Sequence, residues 1–138
     1  MVKAKLIHHQ LLVVDDVEKA KDFYGRILGL QQIKMPDPSS QAIWFGCLNN
    51  ELHISPREEI NGGPSGLSLT PLDREGREGR HVAFTMDGSM DDITKHLEAE
   101  GISFVKGAVG LPQLFCEDPA GNLIELNTGW EQKPVGSV

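Results

Sequence analysis

The chain has 138 residues, of which 39% are hydrophobic and 24% are charged, and its formal net charge is -7 at pH 7. This length suits one compact domain or two very small modules that share a core, and the hydrophobic content excludes a fully disordered chain. The acidic balance leaves no basic stripe for phosphates, so we expect neither nucleic acid nor an anionic membrane surface as a partner. No apolar run is long enough to span a membrane and the N-terminus lacks a secretion-signal pattern, so we expect a cytoplasmic protein.

The predicted elements form an internal repeat. The first half predicts a strand, a helix and a strand pair, at residues 7–15, 17–28 and 41–55. The second half predicts the same order, at residues 80–87, 90–100 and 112–127. Asp15 with Glu18 has the spacing of a capping box at the first helix, and Ser89 with Asp92 forms a weaker pattern of the same kind at the second. The two halves are therefore predicted to be structural copies.

The composition places the boundaries between the copies. We predict a first module at residues 1–55, a linker at 56–79, a second module at 80–128 and a tail at 129–138. The linker is assigned because this stretch is rich in proline, glycine and charge and is long for a connection inside a compact domain. The two modules together are predicted to make one domain.

Each half also carries a histidine, a glycine that ends the helix and a glutamate. These residues are His9, Gly29 and Glu51 in the first half and His81, Gly101 and Glu125 in the second. The histidine and glycine are 20 residues apart in both halves, whereas the histidine and glutamate are 42 residues apart in the first and 44 in the second. The two helices match only with a slip of one residue. Because successive strand residues face opposite sides of a sheet, all four histidine and glutamate side chains are predicted to face away from the helices.

Two imidazoles and two carboxylates that share a common centre form a typical metal site. The predicted ligands are His9, Glu51, His81 and Glu125. This set of nitrogen and oxygen donors suits divalent Zn, Ni, Mn, Co or Fe. His53 shares the face of Glu51, so it could replace Glu51 as a ligand or contact the substrate. His8 is predicted to lie on the other face as a structural residue.

Several segments of the chain resemble a known family. The matching segments are His8-His9 with Asp15-Asp16, Asp22-Phe23-Tyr24 through Leu28-Gly29-Leu30, Arg80-His81-Val82-Ala83-Phe84, and the run from Asp118 to Leu126. They are similar to the vicinal oxygen chelate superfamily, which includes glyoxalase I, fosfomycin- and bleomycin-resistance proteins and extradiol dioxygenases. The resemblance implies an α+β fold in which two paired βαβββ modules form a cupped eight-stranded mixed sheet, with helices on the outer face. It also implies frequent homodimers.

The resemblance further implies a metal-dependent lyase, isomerase or transferase of glyoxalase type. Such an enzyme acts on a small carbonyl or vicinal-oxygen substrate, which its divalent metal chelates. The family's metal ligands carry over onto the same four residues, and Glu51 and Glu125 are the candidates for moving a proton. The residues expected to contact the small-molecule substrate are His53, Gln113 and Phe115.

Two departures from the family keep other functions open. Glyoxalase I enzymes usually carry an arginine four residues after the first ligand, where this chain has Val13. Extradiol dioxygenases carry a tyrosine on the strand before the last ligand, where this chain has Phe115. The alternatives are an extradiol-type dioxygenase and a small-molecule binding protein of the bleomycin-resistance type, with or without a metal and without turnover.

Overall fold

The computed structural model describes residues 2–60, 81–107 and 110–129. These residues divide into two compact units. The first unit contains residues 2–60 and 118–122, and the second contains residues 81–107, 110–117 and 123–129. Each unit has one four-stranded mixed sheet, which confirms the predicted α+β class with eight strands in two modules.

The first unit begins with a strand, a helix and three further strands. Its elements are β1 (His9–Val14), α1 (Val17–Lys21), a π-helix (Asp22–Ile27), β2 (Gln31–Ile33), β3 (Ile43–Cys47), β4 (Asn50–Pro56) and α2 (Arg57–Ile60). The strand order is β1-β4-β3-β2, with β1 parallel to β4 and the other pairs antiparallel. Aliphatic and aromatic side chains of these elements form its core: Val14, Ala20, Phe23, Tyr24, Phe45, Leu52 and Ile54.

The second unit repeats this arrangement. Its elements are β5 (His81–Thr85), α3 (Met90–Ala99), β6 (Phe104–Lys106), β7 (Gln113–Glu117) and β8 (Leu123–Asn127). The strand order is β5-β8-β7-β6, again with one parallel and two antiparallel pairs. Its core consists of Phe84, Ile93, Leu97, Leu114, Phe115, Cys116, Ile124 and Leu126. Both units therefore place a parallel strand pair at one end of the sheet.

The starts of the two helices differ from the sequence-based expectation. The N-cap of α1 is Asp16, whose side chain accepts a hydrogen bond from the backbone of Lys19, so the predicted capping box at Asp15 is wrong by one residue. The Ser89 pattern, predicted to be the weaker one, forms a complete capping box with Asp92. Adjacent aspartates compete for the first position, and only the backbone conformation decides which one caps the helix.

The one-residue slip between the helices is absorbed inside the first helix. After Lys21 the predicted helix over 17–28 changes to π-helical hydrogen bonding, and the backbone of Leu28 donates to the carbonyl of Phe23 at 2.9 Å. A π-helical turn accommodates one extra residue without breaking the helix. Gly29 and Gly101 then end the two helices with φ of 76° and 70°, the left-handed cap that the sequence predicts.

The turn at 118–122 is built around one carboxylate of the first unit. Among the described residues, the side chain of Asp118 accepts four hydrogen bonds: from the backbones of Ala120 and Asn122 and from the side chains of Asn122 and Tyr24. Asp118 is 4% exposed and Tyr24 is fully buried, so these bonds are protected from water. Such a carboxylate is a strong local anchor, because hydrogen bonds to charged groups are stronger than neutral ones.

Parts of the predicted linker and tail fall outside the described residues. At the start of the linker, Pro56 is the last residue of β4 and residues 57–60 form α2, while 61–79 are not described. Of the predicted tail, only Gly129 is described. Within the described ranges, no helix is both long and apolar enough to cross a membrane.

Candidate metal centre

The strand register of the first unit decides which side chains lie opposite each other. In the parallel pair of β1 and β4, His9 is aligned with Glu51 and Leu11 is aligned with His53. In the antiparallel pair of β3 and β4, Trp44 is aligned with His53. His53 therefore has neighbours on the same sheet face from both adjacent strands.

The register of the second unit is the same, but the glutamate lies further along. In the parallel pair of β5 and β8, His81 is aligned with Leu123, and Glu125 is aligned with Ala83. Partners are 42 residues apart in both units. The residue at the position of Glu125 in the first unit is thus His53, 44 residues after His9, just as Glu125 is 44 residues after His81.

This register corrects the predicted equivalence of Glu51 and Glu125. Glu51 corresponds to Leu123, two residues before the position of Glu125. A shift of two residues keeps a side chain on the same face of a strand, so the alternation pattern could not detect the shift. Only the paired strands reveal it.

The first unit holds a group of rings and one carboxylate that we call the histidine half-site, formed by His9, Trp44, Glu51 and His53. The ring of His53 is stacked on Trp44 at 3.8 Å between centroids and on His9 at 4.2 Å. Its Nε2 lies 2.8 Å from Oε2 of Glu51. His53 is 7% exposed, so its imidazole is fixed on both faces and at one nitrogen.

The carboxylate of this half-site is kept ionised by its neighbours. The hydrogen bond with His53 lowers the pKa of Glu51 from its ordinary value of 4.5, partial burial opposes this, and the charges of His8, His53 and His9 lower it further. An ionised carboxylate only accepts hydrogen bonds, so the His53 nitrogen that faces Glu51 carries the hydrogen. In the neutral form of His53, Nδ1 is then the nitrogen that keeps a lone pair for a metal.

His8 does not lie opposite His9 as predicted. β1 begins at His9, so strand alternation does not reach His8. The two Nδ1 atoms are 3.0 Å apart, and the rings meet edge to face at 5.3 Å. A contact at Nδ1 leaves Nε2 of His9 as the nitrogen directed away from His8.

The second unit holds a group that we call the carboxylate half-site, formed by His81, Phe115, Glu125 and Asn127. Glu125 is 5% exposed, and Nδ2 of Asn127 donates to its Oε2 at 3.1 Å. Phe115 is aligned with Glu125 across the strand pair, and its ring meets that of His81 edge to face at 5.2 Å. Within the described ranges, Glu125 has no cationic partner.

Gln113, predicted to contact the substrate, lies at the start of β7. It is aligned with Asn127 of the carboxylate half-site. It also lines a cleft of about 540 Å³ together with Met90 of α3 and Lys106 of β6. The register therefore places Gln113 next to this half-site, and the same residue borders the cleft beside α3.

The donor chemistry of both half-sites fits a divalent metal. His9 and His53 offer imidazole nitrogens, and Glu125 offers the oxygens of a buried carboxylate, which are donor types that divalent metals take in proteins. In the residues that the structure describes, no group of three or more His, Cys, Asp or Glu side chains is arranged to hold an ion. Neither group by itself therefore provides three such ligands within the described residues.

Comparison with known proteins gives consistent matches over most of the chain. Glyoxylase I 4 from Arabidopsis thaliana is 26% identical over 126 residues, which span 87% of this chain and 68% of that protein. The structure of a glyoxalase family protein from Bacillus anthracis is 24% identical and superposes with a TM-score of 0.70, covering 91% of this chain and 96% of that one. Lactoylglutathione lyase from Agrobacterium tumefaciens is 25% identical, with a TM-score of 0.64 and coverage of 90% and 93%.

The family assignment rests on the length of the match as well as on these relatives. The model of the Glyoxalase/Bleomycin resistance protein/Dioxygenase superfamily matches residues 6–126 and so includes both half-sites. The family contains both enzymes and resistance proteins, so membership leaves the reaction open. The chain belongs to the glyoxalase/bleomycin resistance protein/dioxygenase superfamily.

Proposed function

We propose that this protein is a divalent-metal-dependent enzyme of glyoxalase type, a lyase or isomerase that acts on a small carbonyl or vicinal-oxygen compound. The proposed ligands are His9 and His53 from the histidine half-site and His81 and Glu125 from the carboxylate half-site. Family membership and the likeness to a lactoylglutathione lyase support the reaction class. The observation that carries the proposal is the buried carboxylate of Glu125, which has no described counter-charge.

This ligand set replaces Glu51 of the original prediction by His53. The matched register supports the replacement, because His53 and Glu125 occupy corresponding positions. Glu51 then acts on His53 rather than on the metal. A carboxylate that accepts the hydrogen of a ligating imidazole orients the ring and makes it a better donor.

The side chains of both half-sites have separate tasks in the proposed reaction. A bound divalent metal supplies Lewis acidity that polarises a substrate oxygen. The stack of Trp44 on His53 keeps one ligand ring from rotating, and the ring of Phe115 contacts that of His81 edge to face. The carboxylates of Glu51 and Glu125 are the groups that would accept or return a substrate proton.

Metal content after chelation and reconstitution tests the proposal. The metal-free protein is incubated in turn with Zn²⁺, Ni²⁺, Mn²⁺, Co²⁺ and Fe²⁺, desalted and analysed for metal. We expect about one equivalent of at least one metal, and a loss of about 100-fold or more in affinity for His53→Ala and Glu125→Gln, since each removes a ligand. Retention below about a tenth of an equivalent by the wild type for every metal would contradict the proposal.

Glu51→Gln is the matched variant that separates the two ligand sets. Glutamine keeps an oxygen that accepts from His53 but loses the charge. If Glu51 only orients His53, affinity falls by about 10-fold, which is below the loss of about 100-fold or more expected on removing a ligand. A loss as large as that of Glu125→Gln would return Glu51 to the ligand set.

A turnover screen then tests the reaction class. The reconstituted protein is offered hemithioacetals, catechols and epoxides, and products are followed by absorbance and mass spectrometry. Turnover of a hemithioacetal supports a glyoxalase-type reaction, whereas ring cleavage of a catechol would indicate a dioxygenase. Tight binding of small molecules without any turnover would indicate a binding protein of the resistance type.

A further inference from the structure

We propose that Thr85 and Asn127 are positioning residues that fix the carboxylate of Glu125 for metal binding. This inference rests on the proposed metal centre and adds two residues that act on one of its ligands. All three side chains belong to the parallel strand pair of the second unit, where Thr85 of β5 is aligned with Asn127 of β8.

The three side chains form a short chain of hydrogen bonds. Oγ1 of Thr85 donates to Oδ1 of Asn127 at 2.9 Å, and Nδ2 of Asn127 donates to Oε2 of Glu125 at 3.1 Å. Asn127 is 4% exposed and Glu125 is 5% exposed, so water does not compete freely for these bonds. Thr85 lies at the exposed end of the chain of bonds.

The orientation of the Asn127 amide follows from its partners. The backbone N–H of Gly129 also approaches Oδ1 of Asn127, at 2.9 Å, and a backbone N–H can only donate. The atom facing Gly129 must therefore be the amide oxygen, which resolves the ambiguity between oxygen and nitrogen. The amide NH₂ is then directed at Oε2 of Glu125.

A fixed amide donor matters for Glu125 because the last torsion of a glutamate is otherwise loosely defined. Terminal torsions of carboxylates occupy broad minima, so an unsupported carboxylate samples many orientations. The Asn127 amide, which is held by Thr85 and Gly129, fixes Oε2 of Glu125. The second carboxylate oxygen therefore has a defined orientation before a metal binds. Partners of this kind change metal affinity although they do not touch the ion.

The fold does not require this chain of hydrogen bonds. The corresponding pair in the first unit is Val13 with Ser55, and Val13 has no side-chain donor. Both units nevertheless form the same parallel pairing over these positions. We therefore infer that these hydrogen bonds orient Glu125 and are not needed for the strand pairing.

The test compares three variants by titration of the metal-free protein with Co²⁺, followed by its visible absorption and by competition with a chelator. Thr85→Val keeps the shape of threonine but removes the hydroxyl, and Thr85→Ser restores the hydroxyl. Thr94→Val is the matched control, because Thr94 donates to the backbone carbonyl of Asp91 in α3, outside both half-sites. We expect Thr85→Val to lower Co²⁺ affinity by about 10- to 100-fold and to alter the absorption bands, and the other two to stay within about threefold of wild type.

Folding is checked by thermal unfolding of each variant. If Thr85→Val is unfolded, Thr85→Ala takes its place with the same expected result, since it removes the hydroxyl together with the methyl group. Wild-type affinity in Thr85→Val, alongside loss of binding in Glu125→Gln, would overturn this inference and leave the proposed metal centre intact. Failure of the wild type to bind Co²⁺ or any other metal offered would overturn both.

Discussion

The two units hold their candidate ligands by different means. In the first unit, His53 lies between the rings of Trp44 and His9 and is bonded to a carboxylate. In the second unit, Glu125 occupies the corresponding strand position and is held by the amide of Asn127. A ring is fixed by contacts on its two faces, whereas a carboxylate is fixed by directed hydrogen bonds, so each support suits its own donor.

The helices of the two units differ in a related way. The first helix is an α-helix of five residues that continues as a π-helix, and at its start the side chain of Asp16 accepts one hydrogen bond from the backbone of Lys19. The second is a regular α-helix of ten residues with a complete capping box. The same strand and helix order therefore accommodates an irregular helix in one unit and a regular, well-capped helix in the other. This is possible because most helix stability in proteins comes from packing.

The largest expected effect is a loss of stability when tertiary hydrogen bonds of the first unit are removed. Asp118→Ala removes the acceptor of four hydrogen bonds, one of which comes from the buried hydroxyl of Tyr24. We expect a loss of about 3 kcal/mol in the free energy of unfolding, measured by urea denaturation. Tyr24→Phe removes only one of these bonds and should cost about 1 kcal/mol. Equal effects of the two variants would show that the other three bonds contribute little.

An intermediate effect tests the ring support of the histidine half-site. Trp44→Ala removes the stack on His53, and we expect metal affinity to fall about fivefold, which corresponds to about 1 kcal/mol for one aromatic contact. Trp44→Phe keeps a ring at this position and should retain most of the affinity. The measurement is metal titration monitored by competition with a chelator. If Trp44→Ala binds metal as well as the wild type, the stack is not what holds His53.

The smallest expected effect concerns the locally stabilised helix of the second unit. Hydrogen bonds from the side chain and the backbone of Ser89 lower the pKa of Asp92 from its ordinary value of 3.8. The folded state therefore favours the ionised carboxylate. This contribution to stability is fully present above the unfolded-state pKa and is lost as the pH falls through the lower, folded-state pKa.

Unfolding of the wild type and of Asp92→Asn at several pH values checks this prediction. The stability difference between them should be constant from neutral pH down to about pH 5 and should shrink on further acidification. Ser89→Ala serves as the control, because it removes the side-chain hydrogen bond, which is the larger cause of the lowered pKa, while the backbone hydrogen bond remains. The same pH dependence should therefore become weaker. A difference that grows below pH 4 would contradict the assignment.

Much of the fold follows from local patterns in the chain. The repeat, the order of the elements and the glycines that end both helices were all predicted, since helical spacing, strand alternation and glycine caps depend on near neighbours. The short strands β2 and β6, of three residues each, have too few positions to show an alternation. They exist because longer strands beside them supply the hydrogen bonds.

The candidate site divides in the same way. Strand alternation, applied to the sequence by itself, predicts that the side chains of His9, Glu51, His81 and Glu125 face away from the helices. Only the tertiary structure decided that His53 rather than Glu51 corresponds to Glu125, that Trp44 stacks on it, and that Asn127 holds Glu125. The physical reason is that alternation repeats every two residues, so a shift of two residues leaves the pattern unchanged. The hydrogen bonds between paired strands, in contrast, align each residue with one partner.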